Sequence, residues 1–187
     1  MGKLIVFNFL TMNGYYKGTN DDISWHTHGK EENELAAKNL QSDAILIFGR
    51  VTYEQMAAYW PTEDAIKNQP QVAKGMNNAE KIVFSRKLKK AEWNNTRLIK
   101  ANAEEELRKI KKQSTKDLVI LGSGSIVTQF AEWGLIDAYQ FMIDPVVLGD
   151  GTPVFKGMKG KLDLELTDTK TFKSGTVLVT YKVKMQN

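Results

Sequence analysis

The spacing of apolar and polar residues changes several times along this 187-residue chain. Short unbroken apolar runs, typical of strands buried on both faces, occur at 44–48, 82–84 and 118–121. After the first and last of these runs, apolar residues recur every three or four positions, which predicts helices with one buried face. Strands and helices alternate first, and a predicted hairpin (162–172 and 176–184) ends the chain. This order predicts an α/β fold with a mixed, mostly parallel sheet and an antiparallel C-terminal edge.

The remaining segments complete this picture. Residues 3–11 are predicted as the first strand, 31–41 as a helix, and the polar stretch 62–78 as an excursion over the surface. A further helix is predicted over 102–113, where Asn102 and Glu105 have the spacing of a capping-box variant. Because no linker interrupts the pattern, residues 1–187 are predicted to form a single domain.

Two glycine turns carry the candidate chemistry. Gly49 separates a strand from a helix that begins with Arg50 and contains Thr52, and backbone N–H groups at such a helix start suit a phosphate. A second turn repeats the arrangement after residue 121 and contains Gly122, Ser123, Gly124 and Ser125. Two such turns predict a ligand lying across the carboxyl ends of adjacent strands. The alternative is that each glycine only makes a tight strand-to-helix turn.

Composition narrows the function classes. The chain has no cysteine, which excludes disulfides, thiolate metal sites and a cysteine nucleophile and is compatible with a cytoplasmic location. Its net charge is +4, but the lysines are scattered and do not form the dense basic stripe that is typical of a nucleic-acid-binding protein. No segment approaches the length of a membrane span. His26 and His28 resemble a metal pair only weakly, so no metal site is predicted.

A long polar loop follows the first strand and runs to Gly29. Loops of this length in compact domains are more often functional than idle, so substrate contacts are expected there. Tyr16 and Trp25 are candidate substrate-stacking residues. Asp22 and His26 are candidate proton donors, as is Glu32 on the helix that follows.

Four motifs, taken in order, resemble the dihydrofolate reductase fold, and in particular the branch that contains the reductase domain of riboflavin biosynthesis. Residues 11–14 (Thr-Met-Asn-Gly) match that branch's Ser-Leu-Asp-Gly turn. Residues 49–54 (Gly-Arg-Val-Thr-Tyr-Glu) match its phosphate-side Gly-Arg-x-Thr-Tyr/Trp-Glu motif. Residues 122–125 lie where the family has a Gly-Gly pair under the cofactor diphosphate, and 134–151 resemble the family's C-terminal motifs. The fold implied is a three-layer one, with helices on both faces of the sheet.

The resemblance implies an NADPH-dependent reductase of a pterin- or pyrimidine-like compound, and a homodimer. It places Ser85 and Arg86 at the adenosine 2′-phosphate, whereas the alternative is that Arg86 begins a solvated basic loop. It also places Asn13 beside the substrate, in the position of the branch's aspartate. Ser123 departs from the second glycine of the family, and no clean counterpart exists for the carboxylate that grips a pteridine. A dinucleotide-binding or regulatory module without chemistry therefore stays open as the rival to a reductase.

Overall fold

The sheet observed has eight strands and the mixed topology that the sequence predicts. A computed structural model describes residues 1–26 and 29–184, so His28 of the weak metal pair lies outside the described residues. The strand order is β5-β4-β3-β6-β1-β7-β10-β9, with parallel pairing from β5 to β7 and antiparallel pairing of β10 with both β7 and β9. The strands of this sheet are β1 Leu4–Thr11, β3 Ile45–Gly49, β4 Lys81–Phe84, β5 Thr96–Ile99, β6 Leu118–Leu121, β7 Ala138–Asp144, β9 Leu164–Thr171 and β10 Val177–Val183.

Helices cover both faces of the sheet. They are α1 Lys30–Leu40, α2 Arg50–Tyr59, α3 Glu63–Asn68, α4 Pro70–Asn78, α5 Ala103–Gln113 and α6 Gly124–Glu132. Leu107 of α5 and Phe130 of α6 are buried against one face of the sheet. Ala37 of α1, Tyr53 of α2 and Met76 of α4 are buried against the other. No helix in the described ranges is long and apolar enough to cross a bilayer.

Short elements in the loops were not predicted from the sequence. A two-stranded sheet joins β2 Tyr15–Lys17 to β8 Thr152–Pro153, and a 3-10 turn covers Thr19–Asp21. The small sheet connects the long loop after β1 to the loop after β7. The two loops therefore lie together at the carboxyl end of the central strands.

Two expectations about local structure were wrong. Residues 62–78 form helices α3 and α4, because Thr62 caps α3 through the N–H of Ala65 and Pro70 begins α4. Val72 and Met76 then lie one helical turn apart on the buried face, a spacing hidden by the polar residues around them. The Asn102 capping box is also absent: Asn102 has φ 50° and makes no side-chain capping bond.

Candidate functional site

The two predicted glycine turns lie side by side at the carboxyl ends of β3 and β6. The N–H of Gly49 donates to the Oγ of Ser123 at 2.9 Å, so one side chain joins the two turns. Gly122 has φ +60°, and a Cβ there would come within 3.1 Å of the Thr52 side chain. Ser123 itself has φ +62° and is buried. Ser123, which stands where the resembling family has a glycine, therefore links the two turns through its buried hydrogen bond with the Gly49 N–H.

Helices α2 and α6 both begin at these turns without a side-chain cap. The first N–H groups of a helix have no partner within the helix, and the helix dipole adds positive potential there. Two adjacent uncapped N-termini can together bind an anion. Tyr16 flanks this site, because a Cβ on Gly124 would lie 2.7 Å from its ring. Arg50 stands at the start of α2 and pairs with Glu54 at 2.6 Å.

A cavity of about 690 Å³ lies beside the turns, at the ends of β4 and β5. Its lining mixes apolar residues, among them Phe84 and Trp133, with charged ones: the cations Lys100, Arg86 and Arg108 and the carboxylates Glu104 and Glu105. In the described part of the chain, Arg86 forms no salt bridge. The Oγ of Ser85 accepts bonds from the N–H groups of the next turn, which fixes the chain where Arg86 leaves the strand. Apolar side chains suit a purine ring, and Arg86 suits a phosphate, since Glu104 in the same lining is already paired with Arg108.

The other half of the edge, at the ends of β1, β7 and β10, contains a buried histidine–carboxylate pair. Nδ1 of His26 lies 2.8 Å from Oδ2 of Asp144, and both side chains are less than a tenth exposed (7% and 5%). The His26 ring stacks on Phe9 at 3.8 Å between centroids. The hydroxyl of Thr176 donates to the second oxygen of Asp144 at 3.3 Å. One imidazole is thus held by a β1 ring and a β7 carboxylate.

Glu32 lies in the first turn of α1 and is almost fully buried. Its carboxylate accepts a hydrogen bond from the hydroxyl of Ser174 in the C-terminal hairpin turn. Glu31 accepts from the backbone N–H of Lys173 at 3.2 Å in the same turn. The hairpin therefore anchors the start of α1 next to the histidine–carboxylate pair.

The remaining candidates of the loop make local contacts. Asn13 bonds to both backbone groups of Leu148 and ties the loop after β1 to the loop after β7. Trp25 donates to the carbonyl of Asp22 and meets the His26 ring edge to face. The N–H of Ser24 holds the pKa of the exposed Asp22 carboxyl below its usual range, which does not suit a proton donor at neutral pH. Among the proposed donors, His26 and Glu32 are the two that the fold encloses.

Residues 2–178 match the family model of the RibD C-terminal domain. The chain belongs to the RibD C-terminal domain family. A relative in this comparison is the uncharacterized protein YyaP of Bacillus subtilis (strain 168). It is 31% identical over 179 residues, which cover 96% of this chain and 94% of YyaP.

Solved structures place the RibD C-terminal domain within the dihydrofolate reductase-like fold, as the sequence predicts. A protein from Shewanella sp. PV-4 assigned to riboflavin biosynthesis has a TM-score of 0.75 at 16% identity, covering 98% of this chain and 99% of its own. Dihydrofolate reductase from Enterococcus faecalis, complexed with NADP(H), has a TM-score of 0.64 at 18% identity, with 98% of each chain covered. Both neighbours share the fold of this chain over nearly its whole length.

Sequence reasoning missed part of the site in this RibD-type domain. Asp144 was noted only within a family motif, and Thr176 and Ser174 only as parts of a hairpin. Phe9 was noted only as part of a strand. A signal for Asp144 did exist, because it is a carboxylate that ends a largely apolar strand and follows directly on Phe141, Met142 and Ile143. No local signal linked it to His26, which lies 118 positions earlier.

Proposed function

We propose that this protein is an NADPH-dependent reductase of a pterin- or pyrimidine-like small molecule. The observation that carries the proposal is the meeting of two uncapped helix N-termini beside a cavity lined by Arg86, which forms no salt bridge within residues 1–26 and 29–184. A diphosphate would lie against the helix N-termini, and a nucleoside with a 2′-phosphate would fill the cavity. A single nucleotide would leave one of these two features unused. A dinucleotide phosphate accounts for both.

Each part of the cofactor has residues that suit it. The N–H groups at the starts of α2 and α6 would hold the diphosphate, with Gly49, Thr52 and Ser125 at its sides. The guanidinium of Arg50 keeps donors beyond the one that binds Glu54. Arg86 would meet the 2′-phosphate, with the hydroxyl of Ser85 beside it.

The bound cofactor supplies a hydride from its dihydronicotinamide ring. The protein's own contribution is to orient the two reactants and to exclude water from them. The buried Glu32 and the enclosed His26 provide polar groups at the other half of this edge of the sheet.

Cofactor choice provides the test. We expect NADPH to bind more tightly than NADH in a fluorescence titration. We expect Arg86→Ala to reduce that preference by about tenfold, because a charge-assisted contact contributes roughly 1.5–3 kcal/mol and exposed contacts fall toward the lower end of this range. Rising salt should also reduce the preference for NADPH over NADH, because salt screens the contact between Arg86 and the 2′-phosphate.

Lys87→Ala is the matched control, because Lys87 is an adjacent exposed cation that does not line the cavity. It should leave the ratio of the two dissociation constants nearly unchanged. An Arg86→Ala ratio equal to that of the wild type would exclude Arg86 from cofactor binding. Absence of binding by either dinucleotide would contradict the proposed function itself.

The family resemblance also implies a homodimer, which we retain as a proposal. Sedimentation velocity at micromolar concentration measures it directly. A single species near 21.1 kDa would contradict it.

A further inference from the structure

The His26–Asp144 pair has the form of a proton-donating group with its positioning partner. We assign the proton of this bond to Nδ1 of His26, because a carboxylate accepts hydrogen bonds. That bond fixes the ring's orientation and directs proton transfer to the opposite nitrogen, Nε2. Thr176, itself buried, donates to the other Asp144 oxygen and holds the carboxylate in place. Asp144 at the end of β7 and Thr176 beside β10, both distant from His26 in sequence, therefore orient its imidazole.

The place of the pair in the sheet connects it with the cofactor half. In the strand order, β1 lies directly beside β6, whose carboxyl end carries the second glycine turn. Strands β4 and β1 are three positions apart, or about 15 Å at the usual spacing of neighbouring strands. An extended dinucleotide bound in the cavity after β4 and across both turns would therefore reach the end of β1. Phe9, on which His26 stacks, lies near the end of that strand.

We propose that His26 donates the proton that completes the reduction, and that Asp144 positions it. The inference rests on the proposed function. When a hydride from the dihydronicotinamide adds to the carbon of a C=N bond, the π electron pair moves to the nitrogen. The Nε2–H of the His26 imidazolium supplies the proton to that nitrogen, and solvent returns a proton to the ring. The substrate class that fits is a heterocyclic imine, whose nitrogen is basic enough to need this proton as it forms.

Nitrogen NMR of the imidazoles tests the assignment without a substrate. The chain contains two histidines, so ¹⁵N-histidine labelling gives two ring systems, and a His28→Gln variant assigns them. The two probes are NADPH and adenosine 2′,5′-bisphosphate, which lacks the nicotinamide half. If His26 faces the reacting end, NADPH shifts its ring nitrogens and the bisphosphate does not, at saturation by either compound.

The outcomes separate the two proposals. Binding of both compounds with an unchanged His26 signal on NADPH addition would overturn the role of His26 and leave NADPH binding intact. An equal shift with either compound would also overturn it, because the response would not depend on the nicotinamide. Failure of both compounds to bind would overturn the proposed function and this inference together.

Variants of the partner residues test the positioning role. Asp144→Ala removes the acceptor, so the neutral ring should change from the Nδ1–H to the Nε2–H tautomer, and its response to NADPH should change with it. Thr176→Val keeps the Asp144 carboxylate and should keep the Nδ1–H tautomer. NADPH affinity should stay within about threefold in both variants, because neither residue lies in the cofactor half. An unchanged tautomer in folded Asp144→Ala would refute the positioning role.

Discussion

Gly49→Ala separates what the fold requires at the first glycine turn from what a ligand requires. Gly49 has φ −82° and ψ 167°, a conformation open to any residue. An added Cβ would meet Ser123 at 3.4 Å and Ile126 at 3.5 Å, which are ordinary contact distances. The protein itself therefore has no need of a glycine here. Close approach of a bound diphosphate would give a reason for one.

The expected effect on stability is small. Alanine is a poorer N-cap than glycine, at a cost of about 0.5–1 kcal/mol. Reduced freedom of the unfolded chain offsets this by about 0.4–1 kcal/mol. The two nearly cancel, so the midpoint of thermal unfolding should change by less than about 3 °C in a chain of this size. Gly122→Ala should behave differently, because the positive φ and the Thr52 contact together destabilise the turn by about 1–2 kcal/mol or more.

The expected effect on binding is large. A methyl group at position 49 would push the diphosphate away from the α2 N-terminus and weaken at least one charge-assisted hydrogen bond. That loss corresponds to roughly tenfold or more in NADPH affinity. Fluorescence titration is practical, because the chain has four tryptophans and Trp133 lines the cavity. Gly160→Ala is the control, since a Cβ there meets nothing within 4 Å.

Two results would refute this reasoning. Equal NADPH affinity in the wild type and Gly49→Ala would show that the diphosphate does not lie at the first turn. A fall of more than about 5 °C in the unfolding midpoint would show that the fold does require glycine at this position.

Two further predictions concern stability. Ser123→Ala leaves the buried Gly49 N–H without its acceptor and should destabilise the protein by about 1–3 kcal/mol, whereas Ser123→Gly should cost less because glycine favours the positive φ; urea unfolding compares the two. Lys81 is fully buried, and burial lowers its pKa from 10.5 to about 8, although three backbone carbonyls accept from its Nζ. Between these two pKa values Lys81 is protonated in the unfolded chain and deprotonated in the folded protein. The difference in unfolding free energy between the wild type and Lys81→Met should therefore rise by on the order of 2–3 kcal/mol from pH 7.5 to 10.5. A difference that stays constant over this pH range would contradict the lowered pKa.

The two glycine turns could be predicted well from the sequence. Gly49, Arg50 and Thr52 are close in sequence, and so are residues 122–125. Each group lies on one strand-to-helix turn, and a local period change marks such a turn. Parallel strands place all such turns at one edge, so the sequence also predicted that the two turns would meet.

Sequence patterns gave wrong predictions where polar residues hid a helix, and where residue spacing did not match the backbone geometry. Residues 62–78 look polar because α3 and α4 bury few side chains and expose the rest. Asn102 and Glu105 have capping-box spacing, but the chain enters α5 through a left-handed residue that turns the side chain away from its predicted partner. Spacing alone does not fix the backbone angle at which a helix begins.

The sequence by itself determined which residues alternate into strands and helices, the order of those elements, and the turns that favour a phosphate. The tertiary structure alone decided the pairs that complete the site: Gly49 with Ser123, His26 with Asp144, and Glu32 with Ser174. These pairs are separated by 74, 118 and 142 positions. A residue's own neighbours fix its backbone and its buried face, and these leave a periodic trace in the chain. Which distant side chain it contacts depends on the order of the strands within the sheet. No local sequence pattern at either residue records that order.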